Sequence, residues 1–200
     1  MLSIIKKETN VAKVVTFANV KGGSGKSTLC INMAAILIRA GYSVAILDLD
    51  QQKCSQDWIT GTKDKLLSRV EIIDQAEFMA LENVDVDFML IDTQGSLTKE
   101  MAQFLFQSSL IITPCRVSRD DIVGQGWIEV FLKQSNRDIK KAPILTVLNG
   151  VNKRSSILSH VIEQLKEDGV SFSARKTRYI SASVHHSCTS VGCSGNHSFL

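Results

Sequence analysis

Residues 21–28 read Lys-Gly-Gly-Ser-Gly-Lys-Ser-Thr, and this glycine-rich stretch decides the predicted fold. A phosphate-binding loop of this kind needs a strand that delivers it and a helix that leaves it. Residues 14–18 form a short apolar and β-branched run, and residues 27–40 lack Gly and Pro before Gly41 offers a helix stop. The sequence therefore predicts a strand, a phosphate loop and a helix in succession.

Each position in the loop has a predicted task. Glycines let backbone N–H groups approach phosphate oxygens, and the helix N-terminus completes a concave anion site. Lys26 adds a positive charge, Ser27 can place its hydroxyl on Mg²⁺, and Thr28 lies near the phosphates. The alternative is a glycine-rich turn with solvated lysines. The predicted nucleotide-binding residues of the loop are Lys21, Gly22, Gly23, Ser24, Gly25, Lys26, Ser27 and Thr28.

Acidic residues follow two further predicted strands. Residues 44–47 lead to Asp48 and, two positions on, to Asp50, while residues 88–91 lead to Asp92. Because the carboxyl ends of parallel strands face one crevice, we expect three carboxylates to converge beside the loop. Asp92 is interpreted as a magnesium contact, reached through water. The alternative is that an aspartate ends a strand as a turn or cap residue.

These segments together resemble the deviant Walker A ATPases of the ParA/MinD type. Residues 21–27, 48–52 and 88–92 carry the resemblance, which extends over about residues 12 to 170. The ParA branch is the better match, especially its small, ParF-like plasmid partition members. The resemblance implies ATP and Mg²⁺ as cofactors and slow, partner-stimulated hydrolysis of ATP.

The same resemblance implies roles for individual residues. Lys21 would reach across a nucleotide-sandwich homodimer to the phosphates of the other subunit, so that catalysis depends on Lys21, Lys26 and Asp50. Asp50 would orient or activate the attacking water. Asp48 would support the magnesium shell formed with Ser27 and Asp92, and Asn149 matches a position that contacts adenine in relatives.

Two departures from the family pattern stand near these residues. Gln51 occupies the position of a usual proline, which bears on the rate of hydrolysis more than on binding. Residues 93–96 read Thr-Gln-Gly-Ser where many relatives have two prolines, and this favours a ParF-like sub-branch.

Composition is typical of a single compact domain, and the alternation of predicted strands and helices indicates an α/β fold. The chain has 200 residues, 44% of them hydrophobic and 22% charged, which suffices for a single buried core. We expect one P-loop domain over 1–180, with a mostly parallel, twisted sheet covered by helices on both faces. Pro114 is expected to end its strand. Strands are predicted at 14–19, 44–48, 70–73, 87–91, 110–113 and 144–149, and helices at 27–40, 76–83, 98–108, 120–135 and 156–168.

Location and redox state follow from what the sequence contains. Residues 1–5 are too short an apolar stretch for a secretory signal, and no run approaches a membrane span. Cys30, Cys54 and Cys115 are scattered, which favours reduced thiols. We therefore expect a cytoplasmic protein with no membrane partner, and the resemblance to the ParA branch implies that it is associated with the nucleoid.

Residues 181–200 differ from the rest of the chain. They hold six serines and no helical hydrophobic period, so we expect an irregular tail, truncated or frame-shifted relative to ParF-like proteins. Cys188 and Cys193 lie among three histidines in this segment. Zinc is chemically possible there, but the spacing fits no standard finger.

Charge suggests the partners. The net charge is +3, and no acidic residue follows Asp168. The resemblance implies ATP-dependent, nonspecific DNA binding and a centromere-binding, ParB-like adaptor, with salt-sensitive phosphate contacts. A solvated basic surface is the alternative. The candidate DNA-binding residues are Lys153, Arg154, Arg175, Lys176 and Arg178.

The function predicted from these features is ATP-driven segregation or positioning of plasmid or chromosomal DNA. A MinD-like membrane-positioning ATPase is disfavoured, because that class needs a C-terminal amphipathic helix that residues 185–200 do not offer. A ParA-like positioner of a protein cargo stays open. So does a degenerate nucleotide-binding module with little turnover, which Gln51 and the unusual tail keep in view.

Overall fold

A computed structural model describes most of the chain between residues 12 and 173. The described residues are 12–80, 85–96, 98–116, 127–128, 130–132, 143–151, 156–167 and 172–173. The predicted tail at 181–200 and all five candidate DNA-binding residues lie outside them. The division of the chain at residue 180 stays a prediction.

Seven parallel strands form one sheet in the order β3-β2-β4-β1-β5-β6-β7. This arrangement confirms the predicted parallel α/β fold, and it adds a last strand that the sequence pattern did not indicate. The strands are β1 (Lys13–Phe17), β2 (Val44–Asp48), β3 (Glu71–Ile73), β4 (Phe88–Asp92), β5 (Leu110–Arg116), β6 (Ile144–Asn149) and β7 (Phe172–Ser173).

Helices connect the strands close to the predicted positions. The helix α1 ends at Arg39, and Gly41 follows with φ 91° and donates to the carbonyl of Ile38, which is the predicted glycine stop. The sequence pattern missed α2 and the 3₁₀ turn Leu67–Arg69. The helices are α1 (Lys26–Arg39), α2 (Cys54–Thr60), α3 (Gln75–Ala80), α4 (Lys99–Gln107), α5 (described at 127–128 and 130–132) and α6 (Ser156–Glu167).

Both faces of the sheet are buried, as the apolar strands predict. On one face α1 and α2 pack on alternate residues of β1, β2 and β4, including Val15, Ile46 and Leu90. On the other face α4 packs on Ala45 and Met89 of the same strands. The sheet is therefore the middle layer of three.

β1 lies at the centre of the sheet, between β4 and β5. Its chain continues into α1 on one face, whereas α4 and α5, which follow β4 and β5, pack on the other. Connections that leave neighbouring strands toward opposite faces open a crevice at the carboxyl ends of those strands. The phosphate loop lies in this crevice.

The prediction that Pro114 ends its strand is wrong, because β5 continues to Arg116. β1 ends at Phe17, and its last backbone bond to β5 runs from Ala18 N–H to the carbonyl of Ile112. The backbone nitrogen of Pro114, two residues after Ile112, faces this same side of β5. β1 has already ended there, so it offers no strand carbonyl to accept a hydrogen bond. The missing donor therefore costs the sheet nothing at this position.

Candidate functional site

A buried asparagine sets the start of the phosphate loop. The Asn19 side chain donates to the carbonyl of Pro114 at 2.6 Å, and its Oδ1 accepts from the N–H of Lys21 at 2.9 Å. Asn19 is fully buried, so these hydrogen bonds fix the direction in which the chain leaves β1. Sequence analysis missed this residue, although a polar side chain directly after a buried strand was a usable signal.

The loop tolerates a valine at position 20, where the general Gly-x-x-x-x-Gly-Lys-Ser/Thr pattern has its first glycine. Val20 has no positive φ, and its side chain packs against the cluster that contains Ala18 and Leu105. A glycine is therefore not required there, and the deviant pattern with Lys21 takes its place.

Glycines are required further along the loop. Gly23 has φ 69° and Gly25 has φ 99°, values that residues with a side chain rarely adopt. Asn149, at the end of β6, donates from Nδ2 to the carbonyl of Ser24 at 3.0 Å, and its amide occupies the space that a side chain on Gly25 would need. Asn149 thus braces the loop, while its predicted adenine contact stays a prediction.

Lys26 lies inside the loop, with 5% of its surface exposed. Its ammonium donates to the carbonyl of Lys21 at 3.4 Å. Burial lowers the pKa of Lys26, while Asp92 and Asp50 act in the opposite direction. A buried ammonium held near carboxylates is suited to a strongly anionic ligand.

Asp92 is the carboxylate of the site that is available to a ligand, although it is buried from solvent. Neither of its oxygens has a hydrogen-bond partner among the described residues. Burial raises the pKa of Asp92 to about 6, and Asp48 adds to the rise, while Ser27, Ser55 and Lys26 oppose it. The two serine hydroxyls are thus nearby, but neither closes a hydrogen bond of ordinary geometry.

The carboxylate of Asp48 accepts hydrogen bonds from the chain that follows β2. Its Oδ2 accepts from the N–H and hydroxyl of Ser55, at 3.0 and 2.6 Å, and from the N–H of Gln56 at 3.1 Å. Its Oδ1 accepts from the N–H of Asp50 at 3.0 Å. Asp48 therefore holds the N-terminus of α2, and its support of a magnesium shell stays a prediction.

The expected convergence of Asp48, Asp50 and Asp92 beside the loop, with Asp48 and Asp92 at the metal and Asp50 at the water, stays a prediction. Within the described segments, no group of three His, Cys, Asp or Glu side chains is arranged to hold a metal ion. The physical reason is that Asp48 turns toward α2, and Asp50 accepts from the N–H of Gln52 at 3.0 Å. Asp50 still acts electrostatically on Lys26, as a residue beside the phosphates would.

Lys53 is a further residue that sequence analysis missed. Its φ of 50° is left-handed, and its ammonium donates to the backbone carbonyl of Asp48. This contact ties the turn after Asp50 to the end of β2. A non-glycine residue in this conformation costs on the order of 1 kcal/mol, so the turn is held by its contacts.

The segment after β4 packs directly on the phosphate loop. Thr93 donates its N–H and its hydroxyl to the carbonyl of Phe17, at 3.3 and 2.9 Å. A Cβ added at Gly95 would lie 2.9 Å from the backbone nitrogen of Gly22 and 3.1 Å from the carbonyl carbon of Lys21. Within this segment, Thr93 thus supplies a hydrogen-bond donor and Gly95 permits a close backbone contact.

The residues present fit Mg²⁺. This ion binds through one or two carboxylates, a hydroxyl and phosphate oxygens rather than a complete protein cage. The buried, unpartnered oxygens of Asp92 and the neighbouring hydroxyl of Ser27 are such a donor set. The arrangement can therefore hold a magnesium–phosphate ligand between Asp92 and the loop.

The site combines a glycine-lined backbone, a buried lysine, and a hydroxyl beside a carboxylate that has no partner among the described residues. Together these features define a P-loop nucleotide-binding protein. The chain belongs to the family described as the CobQ/CobB/MinD/ParA nucleotide binding domain, which it matches over residues 15–183. P-loop NTPases of this family typically hydrolyse ATP. Among the described helices, none is long and apolar enough to cross a membrane.

Individual relatives are distant. An uncharacterized protein of Methanocaldococcus jannaschii is 28% identical, with 77% of this chain and 79% of that protein covered. The maintenance of carboxysome distribution protein A of Halothiobacillus neapolitanus is 24% identical, with 81% and 77% covered.

Solved structures share the fold. A plasmid partition protein from Borrelia burgdorferi bound to AMPPNP superposes with a TM-score of 0.65, at 19% identity, over 78% of this chain and 81% of that chain. The pNOB8 ParA bound to nonspecific DNA superposes with a TM-score of 0.59, at 20% identity, over 79% and 75%.

Proposed function

We propose that this protein is a partition ATPase that dimerises on binding ATP and Mg²⁺, binds nonspecific DNA in that state, and hydrolyses ATP to segregate or position DNA. The observation that carries the nucleotide chemistry is the buried carboxylate of Asp92, without a partner in the described structure and beside Ser27 and Lys26. An uncompensated buried carboxylate is costly, and a bound cation offsets that cost.

The loop residues take distinct tasks in this proposal. Backbone N–H groups of residues 22–28 and the ammonium of Lys26 bind the phosphates, and Ser27 and Asp92 hold the magnesium ion. When bound, the ion neutralises charge on the β- and γ-phosphates. Asp50 orients the attacking water, which fits its electrostatic action on Lys26.

Lys21 makes hydrolysis depend on assembly. Its backbone is held by Asn19 and by the ammonium of Lys26, at the edge of the loop. In the ATP-bound homodimer, the Lys21 side chain of one subunit contacts the phosphates of the other. A second positive charge would then stabilise the transferring phosphoryl group only in the dimer.

Similarity to partition proteins supports the proposal that DNA is the cargo. The fold is shared with a plasmid partition protein and with a ParA bound to nonspecific DNA. The basic residues proposed to contact DNA are Lys153, Arg154, Arg175, Lys176 and Arg178. A ParB-like centromere-binding adaptor stimulates turnover, and the complex acts at the nucleoid in the cytoplasm.

Sedimentation and turnover test this proposal together. ATP with Mg²⁺ is expected to convert monomers to dimers, and duplex DNA to co-sediment with the dimers at low salt and not at high salt. Lys21→Ala is expected to lower turnover at least tenfold. Asp50→Ala is expected to lower turnover and retain ATP-bound dimers.

Lys63→Ala, a change of an exposed lysine in the segment after α2, is the matched control and should leave both measurements unchanged. An ATP-bound protein that stays monomeric and does not bind DNA would contradict the partition function. It would favour the degenerate nucleotide-binding module.

A protein cargo is the second candidate, favoured by the similarity to a carboxysome distribution protein. The ATPase steps would be the same, and the stimulating partner would differ. Turnover assayed with a DNA-binding adaptor or with a cargo-associated protein encoded beside this chain separates the two. The partner that raises the ATP-dependent rate identifies the cargo.

A further inference from the structure

The last residue of β5, Arg116, lies beside the phosphate loop. Its Nη2 is 3.5 Å from the position that a Cβ on Gly23 would occupy. Arg116 is also in register with Asn149 on β6, whose amide braces Ser24. The guanidinium is therefore next to the part of the loop whose backbone N–H groups are proposed to bind phosphate.

Strand order places Arg116 and Asp92 on opposite flanks of the loop. β4 and β5 are the two neighbours of β1, so the carboxyl end of β4 brings Asp92 to one side and that of β5 brings Arg116 to the other. The Asp92 side offers oxygens to a cation. The Arg116 side offers a cation, and so it complements phosphate oxygens directly.

The chemistry of arginine suits that position. Its planar guanidinium carries a positive charge and presents paired donors that match two oxygens of one phosphate. Arg116 is exposed, and no ion pair to it is found within the described part of the chain, where Arg39 is paired with Asp64. Gly23 has no side chain to separate this guanidinium from the loop.

We propose that Arg116 is a phosphate-binding residue, which contacts the nucleotide held by its own loop from the flank opposite Asp92. This role rests on the proposed nucleotide binding. It adds a second charged contact to Lys26, on the side of the phosphates that the magnesium site does not reach. The contact forms with ADP and with ATP, and it is absent for adenosine.

Binding measurements by calorimetry test Arg116→Gln and Arg116→Lys with Mg²⁺–AMPPNP, Mg²⁺–ADP and adenosine at low and high salt. Arg116→Gln is expected to raise the Kd for both phosphorylated ligands about tenfold, since the charge-assisted contact to the phosphate is lost. Arg116→Lys should fall between parent and Gln variant, because a point charge replaces a fork. Adenosine should bind all three proteins equally.

Arg39→Gln is the matched control, since it removes an exposed arginine that lies on α1 away from the loop and is paired with Asp64. Unchanged Kd values for AMPPNP and ADP in both Arg116 variants would overturn the assignment while leaving the proposed function intact. A parent protein that binds no nucleotide would overturn both.

The ratio of the ADP Kd to the adenosine Kd controls for incomplete folding of a variant, because an inactive fraction affects the binding measurements of both ligands alike. An equal ratio in parent and variant contradicts the phosphate contact. Weakened DNA binding with unchanged ADP binding would also overturn it, and would assign Arg116 to DNA phosphates.

Discussion

Lys26 and Asp92 are perturbed in opposite directions by the same burial. Burial lowers the pKa of Lys26 and raises the pKa of Asp92 to about 6, although each partly stabilises the charge of the other. Burial penalises a charged group of either sign, so both shifts disfavour the charged forms before ligand binds. A phosphate and a cation arriving together would remove both penalties.

The raised pKa of Asp92 predicts a particular dependence of stability on pH in EDTA buffer. Between about pH 4 and pH 6 the folded protein keeps a proton that the unfolded chain has released. Because the folded state binds more protons there, the free energy of unfolding falls as pH rises. From an ordinary value of 3.8 to about 6, the loss is on the order of 3 kcal/mol, complete above pH 6.

Asp92→Asn isolates this effect. The difference in unfolding free energy, variant minus parent, is expected to grow from pH 4.5 to pH 7 in urea titrations. Above pH 6 the variant is the more stable protein without metal, and it binds Mg²⁺–nucleotide more weakly. A difference that stays flat with pH would show that Asp92 titrates at its ordinary value.

At the scale of elements, the short helix α2 changes the meaning of Asp48. From the sequence, an aspartate that follows a strand is equally consistent with a metal ligand and with a capping residue. The carboxylate of Asp48 and the residues that it binds, Ser55 and Gln56, are seven and eight positions apart. That contact exists only because the chain turns at Lys53, which no apolar period in the sequence predicts.

The contact between the segment after β4 and the phosphate loop predicts a contrast between two glycines. Gly95→Ala would drive a Cβ against backbone atoms of Gly22 and Lys21, which cannot rotate away. A loss of about 1 to 3 kcal/mol in unfolding free energy and weaker nucleotide binding are expected.

Gly22→Ala is the comparison, because a Cβ there meets no atom within 4 Å and Gly22 has no positive φ. Its unfolding free energy should stay within about 0.5 kcal/mol of the parent. Urea titration measures both variants. Equal stability of Gly95→Ala and the parent would show that the two loops separate at little cost.

For the whole molecule, the described cysteines report on the integrity of the fold. Cys30 is buried under the site, and burial, with Asp92 and Asp48, raises its thiol pKa well above 9.0. Cys115 is buried at the end of β5, whereas Cys54 is exposed at the start of α2. Thiolates react and buried thiols do not, so accessibility should separate the three.

Pulsed iodoacetamide labelling, mapped by peptide mass spectrometry, is expected to modify Cys54 in the native protein. Cys30 and Cys115 should become labelled only across the main urea transition, because they lie in the sheet core. Peptide mapping keeps Cys188 and Cys193 separate from these three. Native labelling of Cys30 as fast as Cys54 would contradict the packing of α1 on the sheet.

The sequence alone determined the strand, the phosphate loop and the helix, and most of the surrounding elements. Those features follow from local order: glycines where φ is positive, apolar runs of strand length, and Gly41 after α1. The family followed from the same local motif, because Lys21 and Lys26 stand at fixed places within it.

Only the tertiary structure decided what the site residues contact. Asp92 lacks a partner, Asp48 holds α2, and Arg116 reaches Gly23 because parallel strands bring distant residues to one edge of the sheet. Pro114 likewise fits inside β5 because β1 ends two residues earlier in the ladder. Such contacts depend on strand order and register, which local sequence does not encode.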